Sequence, residues 1–193
     1  MSLADFDFVE FLVSNASQSA YWYCCCFGFK RFAHKKTENS FSIAVRNGKT
    51  IFVFTSYSTF SSENMEKRLR THGDSVFNVG FRVDDIYSLR ERLESCNVKI
   101  VRDLWKDDDE TGEVECLTIE AFETDLLHTL VDRKNFFGTF LPHYESCENF
   151  NLLQNLRSVS VISTDHVVQN YPSDSTINAE KWYENTLKLH RFW

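Results

Sequence analysis

The order strand, helix, strand, strand, strand occurs twice in this chain and starts a third time, and a repeat of that kind leaves few folds open. "VEFLVSN", Val9 to Asn15, alternates like a half-buried strand. Asn15 reads as a helix N-cap, and "ASQSAYWYCCC" follows with Ala16, Ala20, Tyr23, Cys24 and Phe27 at helical spacing. Gly28 reads as the glycine that stops this helix. "FKRFA" returns to strand, and "FSIAVRNGKTIFVFTS" is a hairpin turning at Asn47-Gly48.

The second copy opens with "NVGFRVDD", Asn78 to Asp85, which sets Val79 against Val9, Phe81 against Phe11 and Val83 against Val13. "DDIYSLRERLESCN" is a capped helix with Ile86, Leu89, Leu93 and Cys96 on one face. "VKIVRDLW" is a strand, "DDDETGE" an acidic turn around Gly112, and "VECLTIEAF" and "DLLHTLVDR" are the closing strands. The third copy opens at His166. There "HVVQN" pairs with "FLVSN", so that His166 stands opposite Phe11 and Phe81, Val168 opposite Val13 and Asn170 opposite Asn15. After an insertion of five residues, "WYENTLKLHRF" matches "WYCCCFGFKRF", Trp182 falling on Trp22.

Phe11 to Phe81 is 70 residues and Phe81 to His166 is 85, an inequality that argues against a solenoid. The expected fold is α+β: paired βαβββ modules forming a curled mixed sheet, with helices outside and a pocket on the concave face. The modules cover about residues 6–57 and 77–133 within a domain of 1–135. Residues 136–160 read as a connector, and residues 161–193 as the incomplete start of a further domain.

Composition excludes several function classes. A chain of 193 residues buries roughly 70% of its unfolded surface and needs no covalent staple. The net charge is −7, from 21 basic and 28 acidic residues, and no basic tract recurs, so nucleic acid is not an expected partner. "AYWYCCCFGF" is too short to span a membrane, and the acidic N-terminus carries no secretory signal, so a cytoplasmic protein is expected. The six cysteines contain no C-x-x-C pair and read as reduced, mostly buried thiols. The acidic "KDDDETGE" lacks the calcium-loop pattern and reads as a solvated hairpin tip. There is no phosphate-binding glycine loop and no nucleophile elbow. By itself His166 reads as a core or edge-strand histidine.

The motifs "VEFLVSNASQSAYWYCCCFGF", "THGDSVFNVGFRVDD", "HTLVDRKNFFGTFLPHYE" and above all "DHVVQNYP" with "AEKWYENTLKLHRFW" give a further constraint. Through them nearly the whole chain resembles the N-terminal half of the 4-hydroxyphenylpyruvate dioxygenase family, including dioxygenase-like paralogues. That family lies in the vicinal-oxygen-chelate superfamily, with the glyoxalase/bleomycin-resistance/dioxygenase fold. The resemblance implies Fe(II) held by two histidines and a carboxylate, with the remaining positions open to an aromatic 2-oxo acid and O₂. It implies oxidative decarboxylation and ring hydroxylation to homogentisate, in tyrosine and phenylalanine catabolism. His166 matches the first iron ligand. Thr129, beside His128, stands in this chain at the acidic ligand's place in the closing strand, and Asp165 is expected on the opposite side of the strand from His166. The second histidine and the carboxylate would lie beyond Trp193. The first two modules are then a metal-free half for support or homodimer contacts, and the 193-residue chain alone is expected to be inactive and not to retain iron. No residue is assigned as catalytic. The alternatives are a non-catalytic binding or dimerisation module, or an isomerase or ring-cleaving enzyme on the same scaffold.

Overall fold

The computed structural model describes residues 5–58, 63–150 and 159–191. Among them the elements follow in order: β1 (Asp5–Leu12), α1 (Ala16–Phe27), β2 (Lys30–Lys36), β3 (Ser40–Asn47), β4 (Thr50–Tyr57), α2 (Glu63–His72), β5 (Ser75–Arg82), α3 (Ile86–Ser95), β6 (Ile100–Asp109), β7 (Gly112–Glu120), β8 (Leu127–Asp132), β9 (Glu145–Ser146) and α4 (Thr176–Leu187). The repeat is real at the level of single residues. β1 and β5 begin at Asp5 and Ser75, and α1 and α3 at Ala16 and Ile86, so both pairs keep the 70-residue offset. The caps repeat as well: Asn15 Oδ1 accepts from the Gln18 amide, and Asp85 Oδ1 from the Ser88 amide, each at 3.0 Å. Each satisfies a helix N–H that has no partner inside its own helix.

Hydrogen-bonded strands follow the orders β1-β4-β3-β2-β9 and β6-β7-β8-β5. The first module therefore reads β1-β4-β3-β2 and the second β5-β8-β7-β6, the same order of corresponding strands. β1 runs parallel to β4, while β2, β3 and β4 are antiparallel, which makes the sheet mixed. This is the expected α+β fold of paired βαβββ modules.

The chain divides into two compact units, residues 1–7, 79–137 and 165–193 in one, and residues 8–78 and 138–164 in the other. In the second of these, Ala16, Ala20 and Cys24 of α1 pack on Ile43, Val45 and Phe54, with Phe11, Tyr23 and Phe52 alongside. Strand side chains alternate between faces. Phe11, Phe54 and Ile43 face the helix, so Phe8, Glu10, Val53, Thr55, Ser42 and Ala44 point to the opposite, inner face. Gly28 ends α1 with φ 69° and Gly48 turns the β3–β4 hairpin with φ 57°, as their positions in the sequence imply.

That hairpin is also a dock. Asn47 Nδ2 donates to the Val159 carbonyl at 2.7 Å, and the Lys49 amide to the Ile162 carbonyl at 2.8 Å. A Cβ on Gly48 would lie 2.0 Å from the Val161 carbonyl oxygen, so the glycine is needed for this approach as well as for its dihedral. In the other unit, α3 buries Ile86, Leu89 and Leu93, and α4 buries Ala179, Thr186 and Leu187.

Two elements are additions to the sequence reading: α2, which buries no residue, and the two-residue β9 inside the connector. The connector reading also extends over residues 151–158, which lie outside the described residues. The cysteine reading needs correcting, since only Cys24 and Cys116 are buried, while Cys26 and Cys96 are exposed; all six are free thiols. Three successive cysteines on one helix cannot share its buried face, and Cys24 alone takes it.

Candidate functional site

His166 does not lie on a strand. Residues 163–170 have no regular structure, and the His166 side chain is 71% exposed. A strand needs ladder partners for its N–H and C=O groups. Here the segment just before His166 bonds to the β3–β4 turn instead, and Thr164 Oγ1 reaches Thr50 Oγ1 at 3.2 Å. Asp165, expected on the far side of the strand, is 2.7 Å from His166 Nδ1. Without a pleat, neighbouring side chains are free to turn to one side.

The repeat position offered for His166 also changes meaning. Phe11 lies against Tyr23 and Phe54, with ring centroids 5.9 and 5.2 Å away, and so faces α1 rather than the inner face. Phe81 contacts His128, which in turn contacts Tyr183 of α4. These rings are helix-side core. Five inserted residues separate "DHVVQN" from its helix, whereas Asn15 and Asp85 stand directly before theirs.

Thr129, read at the acidic position, is buried in β8, its hydroxyl 3.0 Å from that of Thr118. His128 is also buried, with Nε2 2.8 Å from the Tyr183 hydroxyl. That hydroxyl donates in turn to Gln169 Oε1 at 2.7 Å, and Gln169 Nε2 donates to Thr124 Oγ1 at 3.1 Å. Burial pushes the His128 imidazole down to about 4, because its cation would lose water without gaining an anion; backbone groups of Leu127 and Val79 oppose this weakly. His128 is thus a neutral structural histidine that secures α4. His72 is the last residue of α2, and His190 is exposed and outside any strand.

Among the described residues no three His, Cys, Asp or Glu side chains come together as a metal-binding set. Among the described residues Asp165 is the side chain bonded to His166, and this pair is not the donor set that Fe(II) requires. The residues present do not fit the iron site implied by the family, and no chemical step through iron is derived from them.

The inner face of the first module holds the other notable chemistry. Glu10 interrupts an apolar strand there. Its Oε1 accepts from Thr55 Oγ1 at 2.7 Å and its Oε2 from Asn78 Nδ2 at 3.1 Å, and the Thr55 and Ser42 hydroxyls lie 2.8 Å apart. Burial raises the Glu10 carboxyl above its usual range, and the bonds from Thr55 and Asn78 offset part of this. The connector packs against this face. Phe140 packs edge-on against Phe8 and Phe32, with both centroid distances 5.8 Å, and is 4% exposed. Tyr144 stands edge-on to it, with ring centroids 4.9 Å apart. The sequence signal was the lone acid in "VEFLV", a charge in a strand that is otherwise core.

Comparison with known proteins agrees with the fold and narrows the family. Over 198 aligned residues the chain is 39% identical to a 4-hydroxyphenylpyruvate dioxygenase of Caenorhabditis briggsae, covering 100% of this chain and 50% of that protein. It is 34% identical to the Danio rerio protein of the same name, covering 98% of this chain and 49% of that protein. The chain spans about half the length of the curated relatives it matches. A mutant 4-hydroxymandelate synthase from Streptomyces coelicolor superposes on 100% of this chain and 55% of its own, with TM-score 0.82 and 18% identity. Methylmalonyl-CoA epimerase from Mycobacterium tuberculosis matches 68% of this chain and 90% of its own, with TM-score 0.55 at 18% identity. At such identities the structural matches speak for the fold alone. No helix among the described residues is long and apolar enough to cross a membrane. Residues 5–120 match the Glyoxalase/Bleomycin resistance protein/Dioxygenase superfamily, and the chain belongs to that superfamily.

Proposed function

We propose that this chain forms the N-terminal half of a cytoplasmic, homodimeric, Fe(II)-dependent dioxygenase that acts on an aromatic 2-oxo acid, converting 4-hydroxyphenylpyruvate to homogentisate. The observation that carries this reading is the match, along the whole chain, to half of proteins named 4-hydroxyphenylpyruvate dioxygenase. In this reading residues 1–135 are a metal-free domain, residues 136–160 a connector, and residues 161–193 the opening of the domain that takes the metal. His166 supplies the first iron ligand, and its exposed ring leaves Nε2 open to a metal while Nδ1 is held by Asp165. The other ligands come from sequence beyond Trp193, so the 193-residue chain by itself is inactive.

The test is expression of the gene read past the codon for Trp193, followed by oxygen uptake with Fe(II) and a panel of aryl pyruvates. Uptake matched by carbon dioxide release, and lost in His166→Ala, is the expected result. No uptake with any aryl pyruvate would overturn the reading. A second reading, a non-catalytic dimerisation module, is favoured by one feature: Phe140 is buried against Phe8 and Phe32 on the inner face of the first module.

A further inference from the structure

Beside α1, on the helix side of the first module, lies a cleft of about 500 Å³, a volume within the range of small-molecule sites. Phe11, Phe54 and Tyr23 line it together, with ring centroids 4.8 to 5.9 Å apart. Trp22 lines it as well. Its ring is steadied by Tyr23 and Phe27, each at 5.2 Å, yet Trp22 remains 52% exposed. The fold does not require an aromatic there, since the second module carries Arg92 at the 70-residue offset. A tryptophan fixed at the mouth of a cavity offers a large apolar surface that a ligand can cover.

The polar side of the cleft carries a single charge. Among the described residues Asp74, in the turn after α2, is the one charged side chain that lines it, and no Lys, Arg or His does. Asp74 Oδ1 accepts from the Ser14 amide and from the Ser14 hydroxyl, both at 2.8 Å, which fixes the carboxylate beside the start of α1. Among the described residues nothing is bonded to Oδ2. A helix start ordinarily attracts anions. Here the Ser14 amide is engaged by Asp74 and the Gln18 amide by Asn15 Oδ1 at 3.0 Å, and an anionic ligand would also meet the carboxylate. A neutral arene would cover the rings and gain nothing from Asp74. A cation gains from the carboxylate and from the negative faces of the rings alike.

We infer that the cleft between α1 and the turn after α2 is a binding site for an organic ammonium ion with an aryl body, its cationic head on Asp74 and its body against Trp22, Tyr23 and Phe11. The inference is independent of iron and of the reaction proposed above, because every residue in it lies within residues 11–74 of one compact unit.

The probes are phenethylammonium, the neutral 2-phenylethanol of the same length, and the anion phenylacetate, each titrated into the 193-residue chain while the amide and indole N–H resonances are followed by NMR. Trp22→Ala identifies the Trp22 indole resonance by its loss. Phenethylammonium is expected to bind with Kd of about 1 mM or tighter and to move the Trp22 indole and the Ser14 amide. 2-Phenylethanol should bind about fivefold more weakly, and phenylacetate more weakly still. Asp74→Asn keeps an acceptor for Ser14 and removes the charge, so it should bring phenethylammonium and 2-phenylethanol to equal affinity. Trp22→Ala should weaken phenethylammonium about threefold or more. In the unaltered protein, raising the salt from about 20 mM to about 500 mM should shrink the preference for the ammonium, which tests the charge without any substitution. Equal affinity for the ammonium and the alcohol at low salt, a preference that survives Asp74→Asn or high salt undiminished, or shifts that spare Trp22 and Ser14 would overturn the inference.

Discussion

The two modules share one backbone and cover their helix-side cores differently. The Val13 amide donates to the Thr55 carbonyl at 2.9 Å, and the Val83 amide to the Val131 carbonyl at 3.0 Å. These matching bonds align β4 with β8, so that Phe52 corresponds to His128 and Val53 to Thr129. In the first module Phe52 stacks on Phe29 at 4.9 Å and meets Tyr23 at 5.6 Å, so α1 supplies its own aromatic cover. In the second module α3 offers Ile86, Leu89 and Leu93 and no buried aromatic. His128 is covered instead by Tyr183 of α4, an element about fifty residues further along. One module is closed by local apolar packing, the other by a long-range polar pair. Apolar packing is insensitive to pH, whereas a buried imidazole is not.

The largest expected effect lies on the inner face of the first module, opposite its helix-side cover. Phe140→Ala should cost about 3–5 kcal/mol, as for other buried aromatic truncations, because Phe8 and Phe32 lose the ring between them. Amide exchange should then accelerate more in β2, β3 and β4 than in β6 and β7. Equal acceleration in all five strands would show that the two units open together and that the contrast has no energetic meaning.

The second prediction concerns pH. The folded-state pKa of His128 is lowered from 6.5 to about 4, so the unfolded chain binds the extra proton first as pH falls. The stability from burying the neutral ring is fully present above pH 6.5 and is lost progressively down to about pH 4, by roughly 3 kcal/mol. Urea midpoints measured between pH 7 and pH 4 should therefore fall more steeply in the unaltered protein than in His128→Gln. The Glu10 carboxyl moves oppositely. Its pKa is raised, so its contribution is complete at acid pH and declines as pH rises through the folded-state value. A His128→Gln profile as steep as the original would break the polar half of the comparison.

The third effect is smaller and should be the same in both modules. Asn15→Ala and Asp85→Ala each remove one side-chain cap, and each should cost about 1 kcal/mol in thermal or urea unfolding. A difference of more than about twofold would mean that the helices, and not only the covers over the strands, have diverged.

How far the fold was legible follows from the same residues. The offset of 70 was visible because Val9, Phe11 and Val13 recur as Val79, Phe81 and Val83, and both caps sit at matching places. Turn chemistry gave the Asn47-Gly48 hairpin. α2 was not legible by apolar periodicity because it buries nothing; its only signals are Glu63 and Glu66 in the first turn and Arg70 and His72 in the last. The strand read at His166 shows the limit of alternation, which says that a segment can pair but not that a partner is present. The inner face was half legible. Glu10 stood out in "VEFLV", but its partners Thr55 and Asn78 come from distant strands, and Phe140 and Tyr144 from a connector that had no periodicity to read.

The smallest effect tests the strap that separates the first module's inner face from any counterpart. His143 holds φ 64°, where a side chain with a Cβ is strained and glycine is not. Its neighbours require that conformation, since the Leu141–Tyr144 turn sets the ring of Tyr144 edge-on against Phe140. His143→Gly relieves the strain in the folded state and adds freedom to the unfolded one, and the two contributions oppose each other. With strain of about 1 kcal/mol or more, relief should dominate, so a net gain of about 0.5 kcal/mol is expected in urea unfolding. The gain should vanish in a Tyr144→Ala background, where the turn no longer has a ring to deliver and can relax by itself. A gain of the same size in both backgrounds would mean that the strain belongs to the loop alone, and that the turn is not held in place by the seat of Tyr144.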